Sequence, residues 1–135
     1  MMVVSFAALA SGNATTQAVQ DATYYSWGAV GTPAVESAGE LAARSLARNH
    51  SSADVIKLIP DAKPEGKLYL LCVLRKIGPQ DYAKAKALAG FTKETKVSTF
   101  SGNVLTSESA FEVLRQIETS NCSALSWTAG ERLEK

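Results

Sequence analysis

The sequence predicts an all-α fold: five or six short helices in an antiparallel helical-hairpin stack of HEAT-like kind, with a small β-hairpin near residues 96–106. Three observations carry this prediction. Apolar residues recur at three- and four-residue intervals over most of the stretch from residue 35 to residue 120. Serines and prolines open these stretches, and glycine, Asn or proline closes them. The 135 residues are 46% hydrophobic and 20% charged, enough for one domain with its own core. No clean internal repeat period accompanies the pattern. The chain reads as a single domain over 1–135, with its core in 14–128 and a frayed tail in 129–135.

The elements follow in order. "TTQAVQDATYYSWGAVGTPAVES" predicts one helix reaching to about Trp27 and then a glycine-rich turn over Gly28 to Gly31. In "VESAGELAARSLARN", Ser37 is the cap and Glu40 completes a Ser-x-x-Glu capping box. Leu41, Ala42, Leu46 and Ala47 then share a face. Asn49-His50 ends that helix. "SSADVIKLIPDA" starts a short one, capped by Ser51 or Ser52, with Val55, Ile56 and Ile59 inward and Pro60 closing it. Pro64-Glu65 opens "PEGKLYLLCVLRKI", apolar on most sides and therefore expected at the centre of the stack. Gly78-Pro79 ends it and begins "PQDYAKAKALAG", with Tyr82, Ala85, Leu88 and Ala89 inward and Gly90 as a left-handed exit. "TKVSTFSGNVLT" changes character to a hairpin or an irregular loop pinned by apolar side chains. Ser107-Glu108 opens the last helix, with Phe111, Val113, Leu114 and Ile117 inward. Trp127 is expected to anchor the tail.

Charge bounds the partners. Fourteen basic and thirteen acidic side chains leave a net charge of +1, so no electrostatic case exists for nucleic acid. No segment approaches the roughly eighteen apolar residues of a membrane span. The opening "MMVVSFAALASGNA" has three readings: a first helix with Val3, Phe6 and Leu9 or Ala10 on one face, the end of a secretory leader with a small-residue site at Ala8 to Ala10, or a mature chain whose leader has been replaced by engineered methionines. Cys72 and Cys122 are expected as two buried or half-buried thiols, with a disulfide as the alternative in an oxidising compartment.

The residue types that support catalysis do not assemble into a constellation, and the chain reads as a non-enzyme with no cofactor. His50 is the single histidine and falls in a predicted turn between helices, so triads and two-His metal sites lack a second member. Glu36 with Glu40, and Glu108 with Glu112, stand at helical spacing beside helix starts, where capping and the helix dipole account for them. "GAVGTP" lacks the strand before and the Lys-Ser/Thr after that a phosphate loop needs. Asn13, Asn49 and Asn121 begin Asn-x-Ser/Thr triplets, which matter only in a eukaryotic secretory route. Tyr24, Tyr25 and Trp27 form the densest aromatic group. They either seal the end of the stack or offer a partner-contact patch, since Tyr and Trp are enriched at binding hot spots.

The segments "WGAVGTPAVESAGELAARSL", "PEGKLYLLCVLRKIGPQDYAKAKAL" and "KVSTFSGNVLTSESAFEVLRQIE" resemble a family of small bacterial proteins named after a product of a microcin gene cluster. The resemblance spans roughly residues 24–120. It rests on a Ser-x-Gly-Glu helix start (Ser37, Gly39, Glu40), a Gly-x-Leu-Tyr-x-Leu helix (Gly66, Leu68, Tyr69, Leu71), and a turn at Gly102 before the last helix. Asn103 stands where the family carries Cys in that turn. The resemblance implies structural roles for these residues and carries over no catalytic one. It also implies export, hence a periplasmic location, against a cytoplasmic alternative. Its gene company implies immunity to a toxin. The expectation is therefore a non-catalytic domain that binds a protein partner, a toxin or effector, in the bacterial envelope. The alternative is a small-ligand carrier or sensor with a pocket between helices near Tyr69, Cys72 and Trp27.

Overall fold

The computed structural model describes residues 14–26, 29–30, 35–101, 104–120 and 122. In chain order the elements are α1 (residues 14–20), β1 (Ala29–Val30), β2 (Val35–Glu36), α2 (Ala38–Asn49), α3 (Ser52–Leu58) and α4 (Pro64–Ile77). A 3-10 turn (Pro79–Asp81), α5 (Tyr82–Ala89), β3 (Lys96–Ser101), β4 (Val104–Ser109) and α6 (Ala110–Ser120) complete them. The described chain is mostly helical, with a small two-stranded antiparallel sheet of β3 and β4 and a two-residue pairing of β1 with β2.

Helix α4 is the hub. Gly66 and every residue from Leu68 to Leu74 are buried, and α4 packs against α2, α3, α5, α6 and β3. Pro64 stands in its first turn, and Glu65 stretches from that turn to accept the Ser98 backbone N–H at 2.8 Å, tying the helix to β3. A helix with so few polar positions is stable only when neighbours cover it all round, each fully buried Leu contributing roughly 1.5–3 kcal/mol. Residue 66 must be glycine for a local reason: a Cβ there would stand 2.4 Å from the Val19 carbonyl oxygen of α1.

The capping serines act as the sequence predicts, while the Glu40 carboxylate of the expected capping box bonds Arg44. Ser37 Oγ accepts the Glu40 N–H at 3.0 Å, and Ser51 Oγ accepts the Asp54 N–H at 3.2 Å. Gly90 ends α5 at φ 65°, in the left-handed region. Val55 and Ile59 are buried, and Pro60 follows the end of α3.

Several expectations need correction. The first helix stops at residue 20, well short of Trp27: the Gln20 carbonyl accepts from Lys63 N, and the chain runs out extended to a parallel bridge between Tyr25 and Thr99. Gly28, Gly31, Gly102, Asn103 and Trp127 lie outside the described residues. The hairpin is longer than expected and takes Ser107 to Ser109 from the last helix, which starts at Ala110. Cross-strand bonding overrides the helix-cap pattern there, because the Glu108 carboxylate accepts the Thr99 hydroxyl at 2.5 Å and the Ala110 N–H reaches the Thr95 carbonyl. Leu41, Leu88 and Phe111 are not inward: they are 51%, 44% and 46% exposed. Gly39, Ala43, Ala85, Ala89 and Val113 fill the faces that pack.

The cysteines are also corrected. Cys72 and Cys122 are bonded, with Cα atoms 5.8 Å apart, and neither is a free thiol. Cys72 lies mid-α4, and Cys122 follows the end of α6 at φ 56°, a left-handed turn that folds the chain back onto α4.

Candidate functional site

Ser37, Gly39, Glu40 and Tyr69, four of the residues that carry the family resemblance, meet in one buried knot. Tyr69 projects from α4 toward the start of α2, and its hydroxyl accepts the Ser26 N–H at 2.8 Å and donates to the Ser26 carbonyl at 3.0 Å. A hydroxyl has one proton, so the Ser37 hydroxyl, 2.9 Å away, must be the donor in its bond to Tyr69. Gly39 leaves room for the ring, since a Cβ there would stand 2.5 Å from it. Glu40 is fully buried and its carboxylate bonds Arg44 at 2.6 Å. Leu68 is fully buried beside Tyr69. Burial pushes the Tyr69 phenol up to about 12, while the Ser37 and Ser26 bonds pull the other way.

Tyr25 closes the knot over the disulfide. Its ring lies 4.9 Å from that of Tyr69, and its hydroxyl is 3.0 Å from Cys72 Sγ. The bonded sulfur has no proton, so Tyr25 donates. Burial drives its phenol well above the ordinary range. A deprotonated base is what a serine nucleophile requires. The partner of Ser37 is instead a phenol held protonated, so the knot orders the α2–α4 junction.

The three aromatic contact candidates separate. Tyr25 is 9% exposed and belongs to the core. Tyr24 is half-buried and packs on Phe100 of β3 with centroids 5.3 Å apart. Trp27 is outside the described residues. His50 caps the end of α2, with Nδ1 3.9 Å from the Asp54 carboxylate. Glu112 pairs with Arg115. Among the described residues, no group of three or more His, Cys, Asp and Glu side chains could hold a metal ion.

What the sequence reading missed lies on the outside. Phe100 pairs with Leu105 across the hairpin, so Tyr24, Phe100 and Leu105 form a strip on one sheet face. Val104 and Leu105 are both 58% exposed. Beyond the end of β4, α5 and α6 leave an apolar groove of about 320 Å³, lined by Ala83, Ala87, Phe91, Phe111 and Leu114, with Lys86 at its rim. One signal was available: α5 alternates alanine with larger residues, and two small side chains on its α6-facing side cannot fill the space beside Phe111.

Comparison with known protein families, with characterised proteins and with solved structures finds no match to this chain.

Proposed function

We propose that this chain is a non-catalytic, protein-binding helical domain, an immunity factor of the bacterial envelope that binds and blocks a toxin or effector. In this reading α2 to α5 form an antiparallel, HEAT-like stack around α4 that holds a contact surface rigid. The observation that carries it is the run of apolar side chains left outside a well-filled core: Tyr24, Phe100 and Leu105 on the hairpin, and Phe111 at the mouth of the groove. Phe100 and Leu105 stand by the hairpin turn and Phe111 past the other end of β4, and exposed apolar groups that stand together mark interaction sites more often than isolated ones do. Support for a periplasmic or exported location comes from the Cys72–Cys122 bond, which persists in oxidising compartments.

The test is capture of the tagged full chain from its native cells under mild salt. One stoichiometric toxin or effector, lost when Leu105→Asp and Phe111→Ala are combined, is the expected result. Partner-free protein, or capture indifferent to those changes, would count against the reading. The groove also supports the alternative of a small-ligand carrier, because its volume reaches the lower end of ligand pockets, about 300 Å³. A metabolite that raises the melting temperature of the wild type and leaves Phe111→Trp unmoved would favour the carrier.

A further inference from the structure

The groove between α5 and α6 has two unlike ends. On one side Ala83, Lys86, Ala87 and Gly90 recur at helical spacing along α5 and its exit; on the other, Phe111 and Leu114 do so on α6. Glu118, four residues past Leu114, continues the α6 stripe, and its carboxylate accepts from Lys86 Nζ at 2.7 Å. The two helices therefore run antiparallel here, with Lys86 opposite Glu118 at one end and Gly90 and Phe91 beside Phe111 at the other. Ala83 and Ala87 are exposed, since neither side chain is long enough to reach across to α6. The stretch from Ala83 to Gly90 spans about 10 Å at the helical rise. Its volume of about 320 Å³ has room for roughly ten non-hydrogen atoms, at the ~30 Å³ that one water occupies in the liquid.

Among the described residues that line this groove, the one polar side chain is the Lys86 ammonium, and no acid lines it. Charge at that end does not balance. Two cations, Lys86 and Arg75, share the Glu118 carboxylate. Arg75 makes no ion pair of its own among the described residues; it donates to the Glu118 backbone carbonyl at 3.1 Å and lies over the Tyr82 ring. The Lys86 bond first, then Tyr82 and the Arg75 charge, hold the Glu118 carboxyl below its usual value, so it is ionised at neutral pH. Tyr82 also donates to that carboxylate at 2.9 Å, so Glu118 keeps a donor when Lys86 turns away. The Lys86 side chain is 45% exposed on a flexible four-carbon stem and can change partner without disturbing the core.

We propose that the α5–α6 groove binds a monoanionic amphiphile, a medium-chain carboxylate of about eight carbons, which fills the volume with its ten non-hydrogen atoms. Its apolar chain lies over Ala87 and Gly90 against Phe91, Phe111 and Leu114. Its carboxylate takes the Lys86 ammonium from Glu118 in a charge-assisted bond. A neutral ligand of the same length forgoes that bond, and a cationic one meets Lys86 and Arg75 with like charge. Glu118 is then a competitor built into the site, holding Lys86 until the ligand carboxylate replaces it. This rests on the small-ligand reading of the groove and supplies the class of ligand; it is independent of the immunity reading.

The test titrates the full chain with octanoate, 1-octanol and octylammonium at low salt, where the ion pair is least screened, and follows amide and methyl shifts by NMR. Octanoate should bind at least about tenfold tighter than either of the others, with shifts centred on Lys86, Ala87, Gly90, Phe91, Phe111 and Leu114. Glu118→Gln removes the competing charge and keeps an acceptor for Tyr82. It should tighten octanoate about threefold or more and leave octanol unchanged, whereas a Glu118 that only supports the fold would weaken both. Lys86→Met should bring octanoate down to the affinity of octanol. Ala87→Leu, at an exposed position whose longer side chain fills the groove, should abolish binding of all three while the helical ellipticity stays. Equal affinity for the three probes, or octanoate binding that Glu118→Gln weakens, overturns the proposal. Shifts spread equally to the exposed Leu41 and Leu88 also overturn it, by showing adsorption to any apolar surface. Octanol binding as tightly as octanoate in the groove sinks the anionic ligand and leaves the small-ligand reading standing. No binding by any probe sinks the amphiphile site, and a native toxin captured equally by wild type and Ala87→Leu then leaves the immunity reading untouched.

Discussion

Tyr69 does more with one oxygen than any other side chain in the described structure, because it fixes two segments that lie 43 and 32 residues from it in sequence. Its hydroxyl satisfies both backbone groups of Ser26 and takes the proton of Ser37, which itself caps α2. Tyr69→Phe would leave the buried Ser26 N–H without that acceptor, at a cost of about 1–3 kcal/mol. Gly39→Ala should cost a similar amount for a different reason, since its Cβ would press into the Tyr69 ring, and overpacking costs about 1–3 kcal/mol. Urea titrations of the two single variants and the double check this. The pair should lose less than the sum of the singles, because both act on one ring. Strict additivity would show that the contact is not shared. The motif positions were legible in the sequence as structural, yet the sequence did not reveal that Ser37, Gly39, Glu40 and Tyr69 meet. That follows from α2 crossing α4, a long-range contact with no local signature.

At the scale of elements, α6 is held to the rest at two places. Val113, Leu114 and Ile117 bury its inner face. At its far end Arg75 donates to the Glu118 carbonyl, Lys86 and Tyr82 bond the Glu118 carboxylate, and Cys122 is joined to Cys72. Lys86 first, and Tyr82 with it, hold the Glu118 carboxyl below its usual value, so this support is present above pH 4.5 and fades as pH falls through the lower folded-state value. The ion pair is partly exposed and worth less than about 1 kcal/mol. The disulfide dominates: closing a loop across a separation of 50 residues is worth about 4 kcal/mol in chain entropy. Replacing both cysteines by alanine should therefore lower stability by up to that amount. By hydrogen exchange, α6 should open before α4 in the variant and together with it in the wild type. Identical exchange in both proteins would show that packing alone docks α6. The helices themselves were legible, because capping serines, Pro64 and Gly90 are local signals. Two boundaries were not. The end of α1 and the start of α6 are decided by contacts outside the local stretch, the Gln20–Lys63 bond and the Tyr25–Thr99 bridge for the first and the pairing of β4 with β3 for the second.

Across the whole molecule, the buried phenols set how the fold responds to base. Tyr25, Tyr69 and Tyr82 all have folded-state values above the ordinary 10.0, in each case chiefly because burial disfavours the phenolate. The sign follows from proton binding. Below pH 10 both folded and unfolded chains keep these protons and the contribution is constant. Above it the unfolded chain releases them first, so stability falls with rising pH until each folded-state value is passed. For Tyr69 that interval ends near 12, and for the other two it extends higher. Each of the two well-buried tyrosines, Tyr25 and Tyr69, adds a slope of about 1.4 kcal/mol per pH unit within its interval, while the half-exposed Tyr82 adds less because solvent screens it, so a domain of ordinary stability should unfold within a few units above pH 10. Urea midpoints measured from pH 8 to pH 11, with phenolate absorbance followed alongside, provide the check. In a Tyr24→Phe background, which leaves only these three phenols, the tyrosine absorbance change and the loss of ellipticity should share one midpoint. Tyr82→Phe, which removes the least buried of the three, should retain that coincidence while its stability falls less steeply, by less than one full proton. Phenolate appearing in a chain that keeps its helical ellipticity would show that the α2–α4 junction opens without global unfolding, and would place the knot outside the cooperative core.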